Sequence, residues 1–146
     1  MNDAIKDQAA NWIDDARCQL ALRNTFGGNV PVLDGLHLAQ LLIGECGEVQ
    51  IALNFPTLPE GSPARWSNKG YDRVQLRLSF YDPSRLSITG TATGISYDLS
   101  ASFGPDKTFS MSHADFHVEL DYFSASADWY PYDSRIFEEP RAWYHR

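Results

Sequence analysis

Long apolar runs are missing from this chain. None approaches the roughly 18 residues that a membrane-spanning helix needs, so no membrane partner is expected. Cysteine is nearly missing too: Cys18 and Cys46 are the only two, and with no export signal both read as free thiols. The opening MNDAIKDQAA is acidic and lacks the basic-then-apolar order of a secretory signal, so a cytoplasmic location is expected. Basic residues are in deficit, 12 Lys and Arg against 19 Asp and Glu, for a net charge of −7. Binding nucleic acid requires clustered Lys and Arg to neutralise phosphate, so no nucleic-acid partner is expected. A phosphate-cradling glycine loop, a nucleophile elbow and a dinucleotide fingerprint are all missing. The expectation is a protein that is not an enzyme and carries no cofactor and no metal.

What is present is a hydrophobic chain of single-domain length. Its 146 residues are 43% hydrophobic and 13% aromatic, enough to bury a sizeable core without a staple. Over residues 3–24, Ile5, Ala9, Trp12, Ile13, Ala16 and Leu20 recur at spacings of three and four, the stripe of an amphipathic helix. Gly27-Gly28 offers a stop. After Pro31 the period switches to two. Leu36, Leu38 and Leu42 alternate, then Val49, Ile51, Leu53 and Phe55, then Val74, Leu76, Leu78 and Phe80 opposite Arg73, Gln75, Arg77 and Ser79. Further alternation runs through Ile95–Phe103 and Phe116–Tyr122, with GECGE, DPS and GPDK as turns. Short connections with no intervening helix predict antiparallel pairing. The expected fold class is therefore α+β: a curved antiparallel meander of about six or seven strands with the N-terminal helix packed on one face. One domain, 1–146, divides into helix 3–24, sheet 34–123 and an aromatic tail 124–146.

Three candidate chemistries are weak. His113 and His117 are four apart in HADFH, but in extended chain that separates them by about 13 Å, too far to share one metal ion. Glu119 and Asp121 fall on one strand face and could form a catalytic carboxylate pair, with His113 as a further candidate; alternating charge on the wet face of a sheet gives the same pattern. Cys46 has no basic neighbour in sequence to activate it.

Surfaces carry more. In the loop PTLPEGSPARWSNKGY, Pro56, Pro59 and Pro63 stiffen the backbone, Trp66 anchors it to the sheet, and Lys69 and Tyr71 are then presented at a fixed place. The stretch 128–139 mixes Asp128, Trp129, Tyr130, Tyr132, Asp133, Glu138 and Glu139, combining acidic charge with residue types enriched at interface hot spots. It serves either as a partner-binding surface or as a seal on the sheet edge. Stacking on Trp66, Trp129 and Tyr130 would alternatively suit a module that binds carbohydrate or another small ligand.

The order of FGGNVPVLDGLHL, PTLPEGSPARW and KGYDRVQLRLSFYD resembles the immunity protein 50 family of bacterial polymorphic toxin systems. Members have a helix ending in a glycine pair, a Pro-x-Leu-Asp-Gly stretch, a proline-rich loop with a tryptophan and a Val-Gln-x-x-Leu strand. Here these are Gly27-Gly28, Pro31 to Gly35, Trp66, and Val74-Gln75 with Leu78. The similarity covers roughly residues 10–125; the tail departs from it, being longer and more aromatic. The resemblance implies a small α+β protein, without catalytic residues, that binds and neutralises a cognate toxin domain. The acidic surface favours a basic toxin.

Overall fold

Alternation along RVQLRLSFY drives Val74, Leu76, Leu78 and Phe80 to one side of a strand, each with no solvent exposure. The same rule builds the rest of the chain. The computed structural model describes residues 25–26, 31–91 and 96–135. They form eight strands: β1 (His37–Ile43), β2 (Val49–Asn54), β3 (Arg73–Tyr81), β4 (Arg85–Thr89), β5 (Ser100–Gly104), β6 (Thr108–His113), β7 (Phe116–Asp121) and β8 (Ser124–Tyr132). One short helix, α1 (Ala64–Asn68), interrupts them. The helix expected over 3–24 lies outside the described residues.

All pairings are antiparallel, as expected, but the strands do not form one meander. They divide into two four-stranded sheets, ordered β1-β2-β3-β8 and β4-β7-β6-β5. The second sheet has Greek-key order: β5, β6 and β7 follow one another through hairpins, and β4 lies beside β7. The correction has a local cause. The turn after Tyr81 and the one before Ser124 are short, yet each carries the chain from one sheet to the other. A short connection fixes proximity without fixing that its two strands pair. Ser84 N–H donates to the Asp121 carbonyl (2.9 Å) and Phe123 N–H to that of Tyr81 (3.0 Å), which locks both crossings.

The cover for each apolar face is therefore the opposite sheet. Phe80 of the first sheet meets Phe109 at 4.9 Å and Phe103 at 6.0 Å across the interface, with Tyr122 at 5.0 Å. Reciprocal main-chain bonds between Leu36 and Leu99 (2.9 and 3.0 Å), with Ala101 N–H to the Leu33 carbonyl (2.8 Å), stitch the sheets at one side. Gly90, at φ +91°, ends β4 against the β6–β7 turn. A Cβ there would overlap the Asp115 carbonyl, so the close approach demands glycine.

The proline-rich loop is also more ordered than expected. Trp66 lies in α1 and is only 5% exposed, its ring edge-on to Phe26 at 5.7 Å. Gly70, at φ +84°, closes the helix: its N–H reaches the Ser67 carbonyl (3.0 Å) and Tyr71 N–H reaches that of Trp66 (3.0 Å). That is a Schellman cap, with Tyr71 folded back beside Trp66. Strand β8 occupies residues 124–132, so most of the described part of the expected tail is the edge strand of the first sheet, paired along its length with β3.

Candidate functional site

Residues directly opposite each other in an antiparallel pair share a face, so the register identifies what the first sheet shows to its outer side. His37, Asn54, Gln75 and Tyr130 form one cross-strand row, and Gln40, Ala52, Arg77 and Asp128 the next. Arg73 stands opposite Tyr132 at the end of the β3–β8 ladder. This face is internally ordered. Arg77 Nε donates to Gln75 Oε1 (2.7 Å), Gln75 Nε2 donates to Asn54 Oδ1 (2.8 Å), and the Arg77 guanidinium lies 3.9 Å from the centre of the Tyr130 ring. The stack holds an aromatic that is 42% exposed in one place before any partner arrives.

Beside it, a cavity of about 330 Å³ is lined by His37, Asn54, Arg73, Gln75, Tyr97 and Tyr132, among others. Arg73 Nη1 donates to the Tyr97 hydroxyl (2.8 Å), and its guanidinium lies 5.4 Å from the Tyr97 ring centre. Burial holds the Tyr132 phenol above the ordinary tyrosine value; nearby Tyr97 adds to this and Arg73 opposes it. The neighbouring acids are engaged elsewhere. Asp72 accepts from Ser134 N–H (2.8 Å) and Ser134 Oγ (2.6 Å), and Asp133 pairs with Arg135 (2.7 Å). The Ser134 bonds hold the Asp72 carboxyl below its usual range, and those from Arg135 do the same for Asp133.

The residues singled out from sequence separate into two groups. Asp128 and Tyr130 are exposed and Tyr132 half-buried on the outer face. The β3–β8 pairing brings them to the loop that carries Lys69 and Tyr71, since Asp72 N–H donates to the Tyr132 carbonyl at 3.1 Å. Lys69 is exposed and Tyr71 is packed partly against the core. Trp129 is placed differently from its neighbours and is half-buried. Strand alternation turns it opposite to Tyr130, into the core against Phe26 (4.7 Å) and Phe55 (5.6 Å). Glu138 and Glu139 lie outside the described residues. The sequence reading passed over Arg73, Arg77, His37, Asn54, Gln75 and Tyr97. The signal for three of them was there: Arg73, Gln75 and Arg77 are the polar phase of β3.

A second exposed patch lies at the other end of the first sheet. Phe123 is 64% exposed beside Tyr81, Glu48, Asp82 and Cys46, which line a depression of about 520 Å³.

The candidate catalytic groups sit on the second sheet. Arg85 bonds both Glu119 (3.3 Å) and Asp121 (3.0 Å), and His117 meets Glu119 at 3.2 Å. Bonds from His117, then Arg85, hold the Glu119 carboxyl below its usual value, opposite to what a general acid requires. HADFH is a tight hairpin, with Ala114 at φ +48°, and not the continuous extended chain assumed from sequence. His113 pairs with Phe116 on the core side and meets Asp98 at 3.0 Å, whereas His117 pairs with Ser112 on the outer side. The two imidazoles thus face opposite ways. Among the described residues no group of His, Cys, Asp and Glu converges as a metal-ligand set.

Two antiparallel sheets around one core, with an ordered arginine–tyrosine face outside, define a small β-sandwich whose most developed feature is a surface. The immunity protein 50 family matches residues 19–122, and the chain belongs to that family. No curated protein and no solved structure matches it.

Proposed function

We propose that this protein is a non-enzymatic cytoplasmic immunity protein that binds a cognate bacterial toxin domain and blocks it, docking through the outer face of the first sheet. Family membership supports the class of partner. The observation that carries the placement is the Arg77–Tyr130 stack, set by the Gln75–Asn54 bonds in the middle of an exposed face. Tyrosine and arginine are the types that dominate interface energetics, and rigidity reduces the entropy lost on docking. Tyr130 is the anchor, Asp128 and Tyr132 flank it, and Lys69, Tyr71 and Asp133 form the rim. Blocking is by occlusion, so it needs no reaction. A carbohydrate platform finds less support, because Trp66 and Trp129 are turned into the core and only Tyr130 of the three rings faces out.

The test is to sequence the neighbouring genes for a toxin domain, purify that domain and titrate it with the chain. Tyr130→Ala should weaken binding by about 1–2 kcal/mol with little change in melting temperature, and Phe123→Ser should bind like wild type. The opposite pattern would move the interface to the far end of the sheet. A chain that neither binds this toxin nor protects cells expressing it would end the immunity reading.

A further inference from the structure

Arg73 is a half-buried cation that forms no ion pair among the described residues. That is unexpected in a chain of net charge −7, and the acids beside it and beside its ladder partner Tyr132 are held elsewhere. Asp72 is adjacent in sequence but its carboxylate holds Ser134, and Asp133 holds Arg135. What meets Arg73 instead is the Tyr97 hydroxyl and ring, with the Tyr132 phenol also bonded to it. Tyr97 has a left-handed backbone, φ +50°, which is costly for a bulky side chain and found where surroundings enforce it. Its ring also lies 5.4 Å from that of His37. A guanidinium has five N–H donors in a planar fork and no acceptor, so the Tyr97 and Tyr132 phenol oxygens do not use all of them and donors are left for the cavity.

We propose that this cavity receives a single carboxylate carried by the toxin, an Asp or Glu side chain seated on the Arg73 fork. The planar fork matches a carboxylate with two parallel bonds. Tyr97 and Tyr132 hydroxyls and the Asn54 and Gln75 amides around it can turn donors toward the same anion. The volume, about 330 Å³, is at the small end of ligand sites and suits one side chain. A nucleic-acid backbone suits it less, because Asp72 and Asp133 adjoin the lining residues Arg73 and Tyr132 in the chain, and Asp128 lies on the same face, so that a polyanion is repelled more than a single charge. The toxin surface facing this chain would then carry an acid at that point even where the toxin is basic elsewhere. The identity of the partner rests on the toxin-binding reading; the carboxylate site does not.

Two experiments on the full chain separate these. The first titrates sodium acetate while following the Arg73 guanidinium resonance by NMR, with sodium chloride at equal ionic strength as reference. A saturable shift with acetate, absent with chloride and lost in Arg73→Gln, is expected; equal responses to both salts would overturn the site. Tenfold tighter binding of inorganic phosphate than of acetate would also overturn the carboxylate assignment. The second measures affinity for the toxin domain. Arg73→Gln should bind about tenfold more weakly or worse, and Arg73→Lys, which keeps the charge and loses the fork, should also be weakened. Circular dichroism checks that each variant is folded. Toxin bound by Arg73→Gln as tightly as by wild type would overturn the proposal and leave the immunity function standing. A toxin that fails to bind wild type, with the acetate response intact, would do the reverse.

Discussion

Removing the Trp66 ring should destabilise the protein without touching its partner. An indole buries on the order of 200 Å², and Trp66 is 5% exposed. At about 25 cal/mol per Å² this is roughly 5 kcal/mol, and compaction of the real unfolded chain takes off up to about a third. The edge contact with Phe26 at 5.7 Å adds back about 1 kcal/mol. Trp66→Ala should therefore cost about 4 kcal/mol, within the range for large aromatic truncations in cores. A protein of this size would lose on the order of 10 °C in melting temperature. Urea unfolding gives the free energy, and toxin affinity is measured at a temperature where the variant stays folded. A loss under about 1 kcal/mol together with abolished toxin binding would refute this reasoning and make Trp66 a contact residue.

Gly90→Ala should destabilise by about 2 kcal/mol or more, because the new Cβ meets the Asp115 carbonyl at a left-handed φ of +91°; a midpoint unchanged in urea would show that β4 can shift aside. Ser134→Ala should remove a pH-dependent contribution. The Asp72 carboxyl titrates lower folded than unfolded, so its stabilisation is present above the ordinary aspartate range and is lost as pH falls through the folded value. The variant should be less stable than wild type at neutral pH and equal to it in strong acid, and a difference that grows on acidification would contradict the assignment.

Strand content was legible because period-two alternation is a local property: each of β2, β3, β6, β7 and β8 buries alternate residues along much of its length. Partition into two sheets was not legible. Whether DPS joins paired strands or carries the chain across the core depends on which distant strands bury Phe80, and Phe103 and Phe109 lie more than twenty residues away. The same limit applied to the tail. DWYPY was correctly seen as aromatic and acidic, but with no partner strand its phase was unknown. Pairing of Arg77 with Asp128 and Gln75 with Tyr130 supplies that phase, sending Tyr130 outward and Trp129 inward. HADFH failed for a different reason: a two-residue turn with a positive-φ alanine carries none of the usual Asn-Gly or Asp-Gly signature.

The two outer faces differ in how they use arginine, and the difference bears on which one is a docking surface. On the second sheet Arg85 lies between Glu119 and Asp121, and His117 also meets Glu119. That cation is satisfied within the chain, and a partner would have to break those contacts to use it. On the first sheet Arg77 stands in register with Asp128 yet lies over Tyr130, and Arg73 is held by Tyr97. Stability does not require this arrangement, since an exposed ion pair contributes only about 0–1 kcal/mol. Stacking fixes where each guanidinium points while, among the described residues, no acid pairs with it. A partner carboxylate can then meet it without displacing an internal one. In a chain with an excess of acids, arginines that pair with no described acid and gather on one ordered face support placing the proposed contact there.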